Sequence, residues 1–293
     1  MALTLFDILV DVYQDLGVLN ISSATGASSK ISVLDSKSDE LYEDDEFNNG
    51  FMFVLRTSDG LAPQGEYQRI TDFAGTTATF TVDSFSADID SGDTIGFTNN
   101  EYPLETLRER LNTALRSEKI GDIVAVDTSL TTVAGQTEYT LPVALKRKPF
   151  KVQIQTSTTS GDYEYQTVYG WTYIPAAAGS TGKLVLSSDP TASMILRVWY
   201  VGRHAVLSTY SSVIDETIPP EVVRYVLLTE VMNWQNARER GENDYIKEEW
   251  NKYSGLLDEA LARWDRPLQK RRSEGIVLPD LTVDSSSYDS TAL

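Results

Sequence analysis

The chain has 293 residues, no cysteine and a net charge of −18, from 43 acidic and 25 basic side chains. The lack of cysteine excludes disulfides, thiolate catalysis and cysteine metal sites. The negative charge disfavours nucleic-acid binding over most of the surface, because such binding needs Lys and Arg to displace counterions from phosphates. Solubility is the simplest interpretation of the acidic excess, and an acidic lining that lets DNA pass without sticking is a second one.

Apolar residues make up 41% of the chain, which is typical of a globular protein. No run of about eighteen apolar residues occurs, so we expect no membrane span. The first residues lack the basic segment of a signal peptide and are interrupted by Asp7, Asp11 and Asp15, so we expect no cleaved leader either.

The first predicted element is a short helix that begins after Thr4. Thr4 followed by Asp7 resembles a capping box, with Asp where Glu is usual. Apolar residues line one face of this helix, namely Leu5, Ile8, Val12 and Leu16. Gly17 is typical of a helix end. Residues 18–29 are rich in Ser, contain Gly26 and predict a flexible connector.

Residues 30–99 predict a small β module, either a barrel or a compact sandwich. Its candidate strands are separated by Gly-containing turns and cover residues 51–57, 66–73, 77–83 and 93–98. An acidic run precedes the first of these strands, namely Glu43, Asp44, Asp45 and Glu46. The spacing of these acids fits no EF-hand calcium loop, and a solvated acidic face is the preferred interpretation.

Residues 100–122 predict a second helix, which begins after Pro103 and ends near Gly121. Its leucines fall on one face, at Leu104, Leu107, Leu111 and Leu115. Residues 123–203 then return to strand patterns that alternate apolar and polar residues, as in antiparallel sheet with one covered face. The candidate strands are residues 123–129, 137–142, 150–156, 163–174, 183–188 and 194–202.

Aromatic residues are concentrated in the predicted strand 163–174. Tyr163, Tyr165, Tyr169, Trp171 and Tyr173 all occupy odd positions, which predicts that they share one face of a sheet. Such a face could stack on sugar rings. Packing under a helix or against another subunit is the preferred interpretation, because aromatic side chains dominate core and interface energetics.

Residues 218–264 predict a helical hairpin. Pro219 and Pro220 suit a first helical turn, and Gly241 suits a helix end. The first helix is apolar on nearly every side as far as Trp234. In the second helix, large residues recur at intervals of four and three and form a seam on one face, at Ile246, Trp250, Tyr253, Leu257, Ala260 and Trp264. We refer to these six residues as the helix seam.

Residues 265–293 have no helical period and predict an extended C-terminal arm. The arm holds the densest basic cluster of the chain, Lys270, Arg271 and Arg272. It also holds apolar residues that a purely solvated segment would not need, namely Leu268, Ile276, Val277 and Leu278. We expect these basic and apolar residues to dock on a partner or on a neighbouring copy of the chain.

The residues that could carry chemistry are few. His204 is the only histidine and could form a Ser–His–Asp arrangement with Ser208 or Ser211 and Asp215, but no G-x-S-x-G elbow is present. One histidine cannot supply a structural zinc site, and the sequence has neither a P-loop nor a G-x-G-x-x-G fingerprint. Carboxylate pairs for glycoside cleavage are too numerous to choose among by spacing. We therefore predict no enzymatic activity, no cofactor and no metal.

Short motifs accompany the order of the elements. The β module contains G-x-Y-x-R-I at residues 65–70 and closes with S-G-D at residues 91–93. G-x-x-x-Y-x-L-P follows at residues 135–142, R-V-x-Y-x-G-x-H at residues 197–204, and I-P at residues 218–219. With these motifs in this order, most of the chain resembles the head-to-tail connector adaptor (neck or collar) proteins of tailed bacteriophages.

The resemblance covers about residues 3 to 264 and implies a viral structural protein. It implies a homo-oligomer, a dodecameric ring beneath the portal protein, with helices packed around a channel for genomic DNA. The arm would reach the portal, and the β modules would face tail, collar or other neck proteins. The implied location is the neck of a virion assembled in the host cytoplasm, with no membrane partner.

The predicted fold class is therefore α+β. A helical bundle would be built from residues 1–29, 100–122 and 218–264, with the β module (30–99) inserted, a second antiparallel β region (123–203), and an extended arm (265–293). Two alternatives for the function stay open. The aromatic run would suit a tail-fibre or receptor-binding module that binds glycans, and the many carboxylates would suit a glycan hydrolase.

Overall fold

The structure is a computed structural model that describes residues 2–26, 29–38, 41–142, 148–157, 164–176 and 181–264. Within these ranges the helices are α1 (Leu5–Asp15), α2 (Leu104–Leu115), α3 (Pro220–Arg238) and α4 (Asp244–Arg263). The strands of the first half are β1 (Asn20–Ser23), β2 (Ser32–Leu34), β3 (Phe51–Arg56), β4 (Tyr67–Ala74), β5 (Thr79–Val82) and β6 (Thr94–Phe97). Those of the second half are β7 (Ile123–Thr131), β8 (Glu138–Thr140), β9 (Lys151–Gln155), β10 (Tyr165–Thr167), β11 (Trp171–Ile174), β12 (Lys183–Leu186) and β13 (Ile195–Gly202).

The first six strands form one antiparallel sheet in the order β1-β6-β3-β4-β5-β2. One face of this sheet covers its own core, in which Phe47 makes edge-to-face contacts with Phe73 and Phe97 at centroid distances of 5.1 and 4.9 Å. Gly50 stands where β3 meets the end of β6, and a Cβ there would lie 1.8 Å from the carbonyl oxygen of Thr98. Only glycine therefore fits this approach of the two chains.

The four helices pack against one another and against the other face of the six-stranded sheet. In α1 the predicted capping box between Thr4 and Asp7 is confirmed. Phe53 of β3 lies 5.9 Å from the ring of Phe6 and 5.5 Å from that of Tyr13, both on α1. Because β3 is covered on both faces, the helices and the six-stranded sheet share a continuous interior.

The remaining strands form two smaller sheets. A four-stranded sheet has the order β10-β9-β13-β7, and a three-stranded sheet has the order β11-β12-β8. Their facing sides enclose a small core of Tyr139, Leu141, Val152, Leu184, Leu186, Leu196 and Val198. No helix in the described part of the chain has the length and hydropathy of a membrane span.

The predicted fold class is wrong. In the described residues most elements are antiparallel strands, thirteen of them in three sheets against four helices, so the chain is not a helical bundle that carries a small inserted β module. The physical reason lies in β3, whose Phe53 enters the helical core while Met52 and Val54 enter the sheet core. The six-stranded sheet is thus a main layer of the fold.

Single elements were predicted better than the architecture. The helices at α1 and α2 and the four candidate strands of the β module are confirmed. Residues 18–29 were predicted as a connector, which is wrong, because β1 pairs with β6 as an edge strand of the large sheet. The predicted boundaries between segments stay predictions.

Candidate functional site

His204, the only histidine of the chain, is buried in the loop that leads into α3. Its Nε2 accepts a hydrogen bond from the backbone N–H of Asp215 at 3.0 Å, and its Nδ1 lies 2.6 Å from the carbonyl oxygen of Ala205. Nδ1 is therefore the protonated nitrogen, and both ring nitrogens bind backbone within the loop. The carboxylate of Asp215 accepts from the backbone N–H of Thr217 at 2.9 Å. The arrangement fixes the loop and brings no serine to the imidazole.

The same loop is held to α2 by a side-chain amide. Asn112 accepts from the backbone N–H of Leu207 at 2.7 Å and donates to its carbonyl oxygen at 2.9 Å. Beside this clamp lies a shallow cleft of about 630 Å³, lined by Glu109, Asn112, Thr113, Arg116, Arg203 and Val206. Within the described residues, no three His, Asp or Glu side chains are grouped so that they could hold a metal ion.

The helix seam lies along the contact between α4 and α3. Ile246, Tyr253 and Leu257 are buried there, together with Ala260. Trp250 stands at the margin of the seam and is 39% exposed. The seam therefore provides the cohesion of the hairpin, while Trp250 presents part of its ring to the outside.

Trp264 is the last residue of the seam and the last described residue before the C-terminal arm. Its indole N–H donates to the carbonyl oxygen of Thr217 at 2.9 Å, and Arg263 lies 3.8 Å from the carboxylate of Glu221. The last described residue, Trp264, therefore lies beside the N-terminus of α3. The predicted docking residues Leu268, Lys270, Arg271, Arg272, Ile276, Val277 and Leu278 lie outside the described residues.

The side of α4 opposite the seam carries an exposed stripe of acidic and small residues. It consists of Asp244, Glu248, Asn251, Gly255, Asp258 and Ala262, which recur at intervals of four and three. We call this set the outer stripe. Lys247 pairs with Asp244 at 2.9 Å, and within the described residues neither Glu248 nor Asp258 forms an ion pair. The stripe is therefore negative along much of its length and contains no Lys or Arg.

A second acidic row lies on α1, where Asp7, Asp11 and Asp15 recur every four residues. Arg224 of α3 forms a bidentate ion pair with Asp15. Burial raises the pKa of Asp11; the nearby Arg224 lowers it, and the neighbouring Asp15 and Asp7 raise it. The contact between α1 and α3 thus gathers several negative charges around one guanidinium.

The predicted aromatic face does not exist as one surface. Tyr165 lies in β10 of the four-stranded sheet, whereas Trp171 and Tyr173 lie in β11 of the three-stranded sheet. Gly170 adopts a φ of +77° between them, and Tyr169 is 85% exposed. Tyr163 lies outside the described residues. The prediction of a single aromatic strand is therefore wrong, because the backbone turns and changes sheet.

No prediction from the sequence covers the outward face of the four-stranded sheet, where two cations lie over aromatic rings. Its signal in the sequence is weak, since Lys151 and Trp199 are 48 positions apart and meet only through strand pairing.

Comparison of the chain with protein-family models and with curated proteins finds no match.

Proposed function

We propose that the protein is a structural component of a virion, a head-to-tail adaptor. Its copies form a ring beneath the portal protein and link the capsid to the tail, collar or other neck proteins around the path of the DNA. The resemblance of the element order and motifs to connector adaptors motivates this proposal. The observation that carries it is the outer stripe of α4, an exposed helical face with carboxylates and small side chains.

The chemistry of the outer stripe suits a surface that faces DNA without binding it. Phosphates are held by Lys and Arg, and the stripe has neither. Glu248 and Asp258 repel the phosphates, and Gly255 and Ala262 leave room beside the helix. A channel lined by copies of this face would let the genome slide through.

Ring closure needs two different surfaces that fit each other, because neighbours in a cyclic assembly meet through heterologous faces. The C-terminal arm supplies basic and apolar side chains for docking on the portal or on a neighbouring copy. Trp264, the residue that precedes the arm, is hydrogen-bonded to Thr217 ahead of α3. Docking of the arm would thereby be coupled to the position of the helical hairpin.

A charge reversal on the outer stripe tests this function. Particles assembled with Glu248→Lys/Asp258→Lys should form with normal composition but release DNA more slowly, because the new cations bind phosphates. The control is Asp72→Lys/Asp83→Lys, which makes the same change in net charge at an exposed position of β4 and at the exposed residue that follows β5. Equal release rates for the two variants would contradict a DNA-facing stripe.

Deleting residues 265–293 separates docking from folding. We expect the truncated chain to change its free energy of unfolding by less than about 1 kcal/mol, because the buried seam ends before this segment. Its recruitment to portal-containing particles should fall strongly. Thermal denaturation and co-sedimentation measure the two effects, and a large loss of stability in the truncated monomer would contradict this assignment.

The receptor-binding alternative loses the observation that favoured it, since Tyr165 and Trp171 belong to different sheets. Specific glycan binding that Trp171→Ala abolishes would restore it.

A further inference from the structure

The outward face of the four-stranded sheet has a composition unlike the rest of this acidic chain. Strand pairing sets Trp199 opposite Val126 on one side and opposite Lys151 on the other. Arg197, two residues before Trp199 on β13, stands opposite Gln153 of β9. The alternate residues Leu196 and Val198 point into the core between the two small sheets. Trp199, Val126, Lys151, Arg197 and Gln153 therefore share the side that faces away from that core.

The cations on this face are held in place by aromatic rings. The guanidinium carbon of Arg197 lies 3.4 Å from the ring centroid of Tyr165, and Nζ of Lys151 lies 5.5 Å from that of Trp199. The indole N–H of Trp199 donates to Oε1 of Gln153 at 2.7 Å. Among the described residues, no carboxylate forms an ion pair with either cation. Two preorganised positive charges are thus available to a partner.

The composition is that of a protein interface. Tyr, Trp and Arg are enriched where proteins bind one another, and they supply much of the binding energy. Val126, 39% exposed, adds an apolar contact beside Trp199. A ligand that fits must therefore combine negative charge with an apolar side chain.

One exposed segment of the same chain has this combination. In residues 41–46, Leu41 is 69% exposed and is followed by the exposed acids Glu43, Asp44, Asp45 and Glu46. Asp44 also accepts from the backbone N–H of Gly75 at 2.6 Å, which anchors the segment on the six-stranded sheet of its own subunit. We call residues 41–46 the acidic loop. The outer stripe of α4 offers carboxylates as well, but no large apolar side chain.

We propose that the outward face of the four-stranded sheet binds the acidic loop of a second copy of this chain. Arg197 and Lys151 would pair with the carboxylates, and Leu41 would cover Val126 and Trp199. The contact is heterologous, with a different surface on each partner, as a closed ring requires. This inference rests on the proposed ring, and the two surfaces in contact are those that would join neighbouring copies in the ring. The acidic run, for which a solvated face was the preferred interpretation from the sequence, would thereby have a binding role.

The absence of cysteine makes site-specific cross-linking a direct test. Full-length chains with Leu41→Cys are mixed with chains carrying Val126→Cys, assembled on portal-containing particles and oxidised. We expect disulfide-linked dimers of the two chains. The matched control is Val213→Cys in place of Val126→Cys, since Val213 is 53% exposed and lies outside both surfaces. A yield no higher than that of the control overturns the proposal.

A charge swap provides the second test. Lys151→Glu/Arg197→Glu should weaken self-association about ten-fold at low salt, because each reversed charge repels the acidic loop. Glu43→Lys/Glu46→Lys should weaken it similarly, and a mixture of the two variants should recover one favourable contact. Lys119→Glu/Arg240→Glu, which changes the net charge equally at two exposed sites, should have a smaller effect.

The outcomes separate this inference from the function on which it rests. Rings that form normally without the cross-link, or with no recovery in the mixture, overturn the contact and leave the adaptor function standing. Cross-linking with recovery in the mixture supports the contact. A chain that shows neither cross-link nor ring overturns both.

Discussion

The two regions of the molecule are held together in different ways. In the first, the helices and the six-stranded sheet share an interior through β3, whose side chains enter cores on both of its faces. In the second, two small sheets enclose a few side chains around Val198, and the outward face of one sheet carries cations and aromatic rings. The first region buries many more large apolar side chains than the second, whose core is small.

This difference indicates a division of roles. Burial on both faces of β3 makes the first region a cooperative unit, since losing one layer exposes the other. The second region has a smaller core and a surface composed like an interface, so we expect part of its stability to come from contacts with other chains. The following predictions test this division.

Phe53→Ala should have the largest effect, a loss of about 4 kcal/mol in the free energy of unfolding, because it leaves a cavity between β3 and α1. Chemical denaturation measures the loss. Phe150→Ala, at a position 38% exposed, should lose less than half as much. Similar losses for the two variants would contradict a dominant role of Phe53 in joining the helices to the large sheet.

Val198→Ala should cost about 2 kcal/mol and act locally, because its neighbours belong to the small core alone. Hydrogen exchange should show loss of protection in β7, β9 and β13, with α1 and α3 unchanged. Uniform loss over all helices and strands would instead indicate that the two regions unfold as one.

His204→Ala tests the joint between the regions, since His204 follows β13 and binds the backbone of Asp215 ahead of α3. The change leaves the partly buried N–H of Asp215 without its partner and should cost about 1 kcal/mol. His204→Gln keeps an acceptor and should recover part of the loss in chemical denaturation. Assembly on particles should persist in both variants. Loss of assembly in His204→Gln would indicate that the imidazole of His204 takes part directly in assembly.

Asp11→Asn should have the smallest effect, and its sign depends on pH. Burial raises the pKa of Asp11 above its ordinary value of 3.8, so the native state binds the proton more tightly than the unfolded chain does. The stability from this group is present below pH 3.8 and is lost as the pH rises through the raised pKa. The Asn variant should therefore gain less than about 1 kcal/mol at pH 7, because the site is only half-buried.

Denaturation of the Asp11→Asn variant and the parent at pH 3 and pH 7 measures this gain. Asp83→Asn, at an exposed site, is the control. A gain that is equal at both pH values would mean that ionisation of Asp11 is not its cause.

Local signals in the sequence predicted local structure well. The Thr4–Asp7 capping box and the leucine period of α2 depend on neighbours within one helical turn, and both occur as expected. Architecture depends on distant contacts, so the sequence did not reveal that β3 places Phe53 in one core and Met52 and Val54 in the other. For the same reason residues 163–174 were predicted as one strand, although β10 and β11 pair with strands of different sheets.

The candidate surfaces show the same limit. The spacing of the helix seam was visible in the sequence, but the exposure of Trp250 depends on what α3 covers. The outward face of the four-stranded sheet was invisible, because Lys151 and Arg197 meet their aromatic partners across strands. Register, which sets these meetings, is fixed by tertiary packing as well as by sequence pattern.

The central claim, that copies of this chain form a ring on the portal, is tested most directly by mixing the full-length protein with portal-containing particles. Native mass spectrometry of the extracted complex, with negative-stain imaging of the vertex, gives copy number and symmetry. The account predicts a closed ring of roughly twelve copies bound at one vertex. A chain that stays monomeric beside intact portals, or that binds as a trimer, would contradict it.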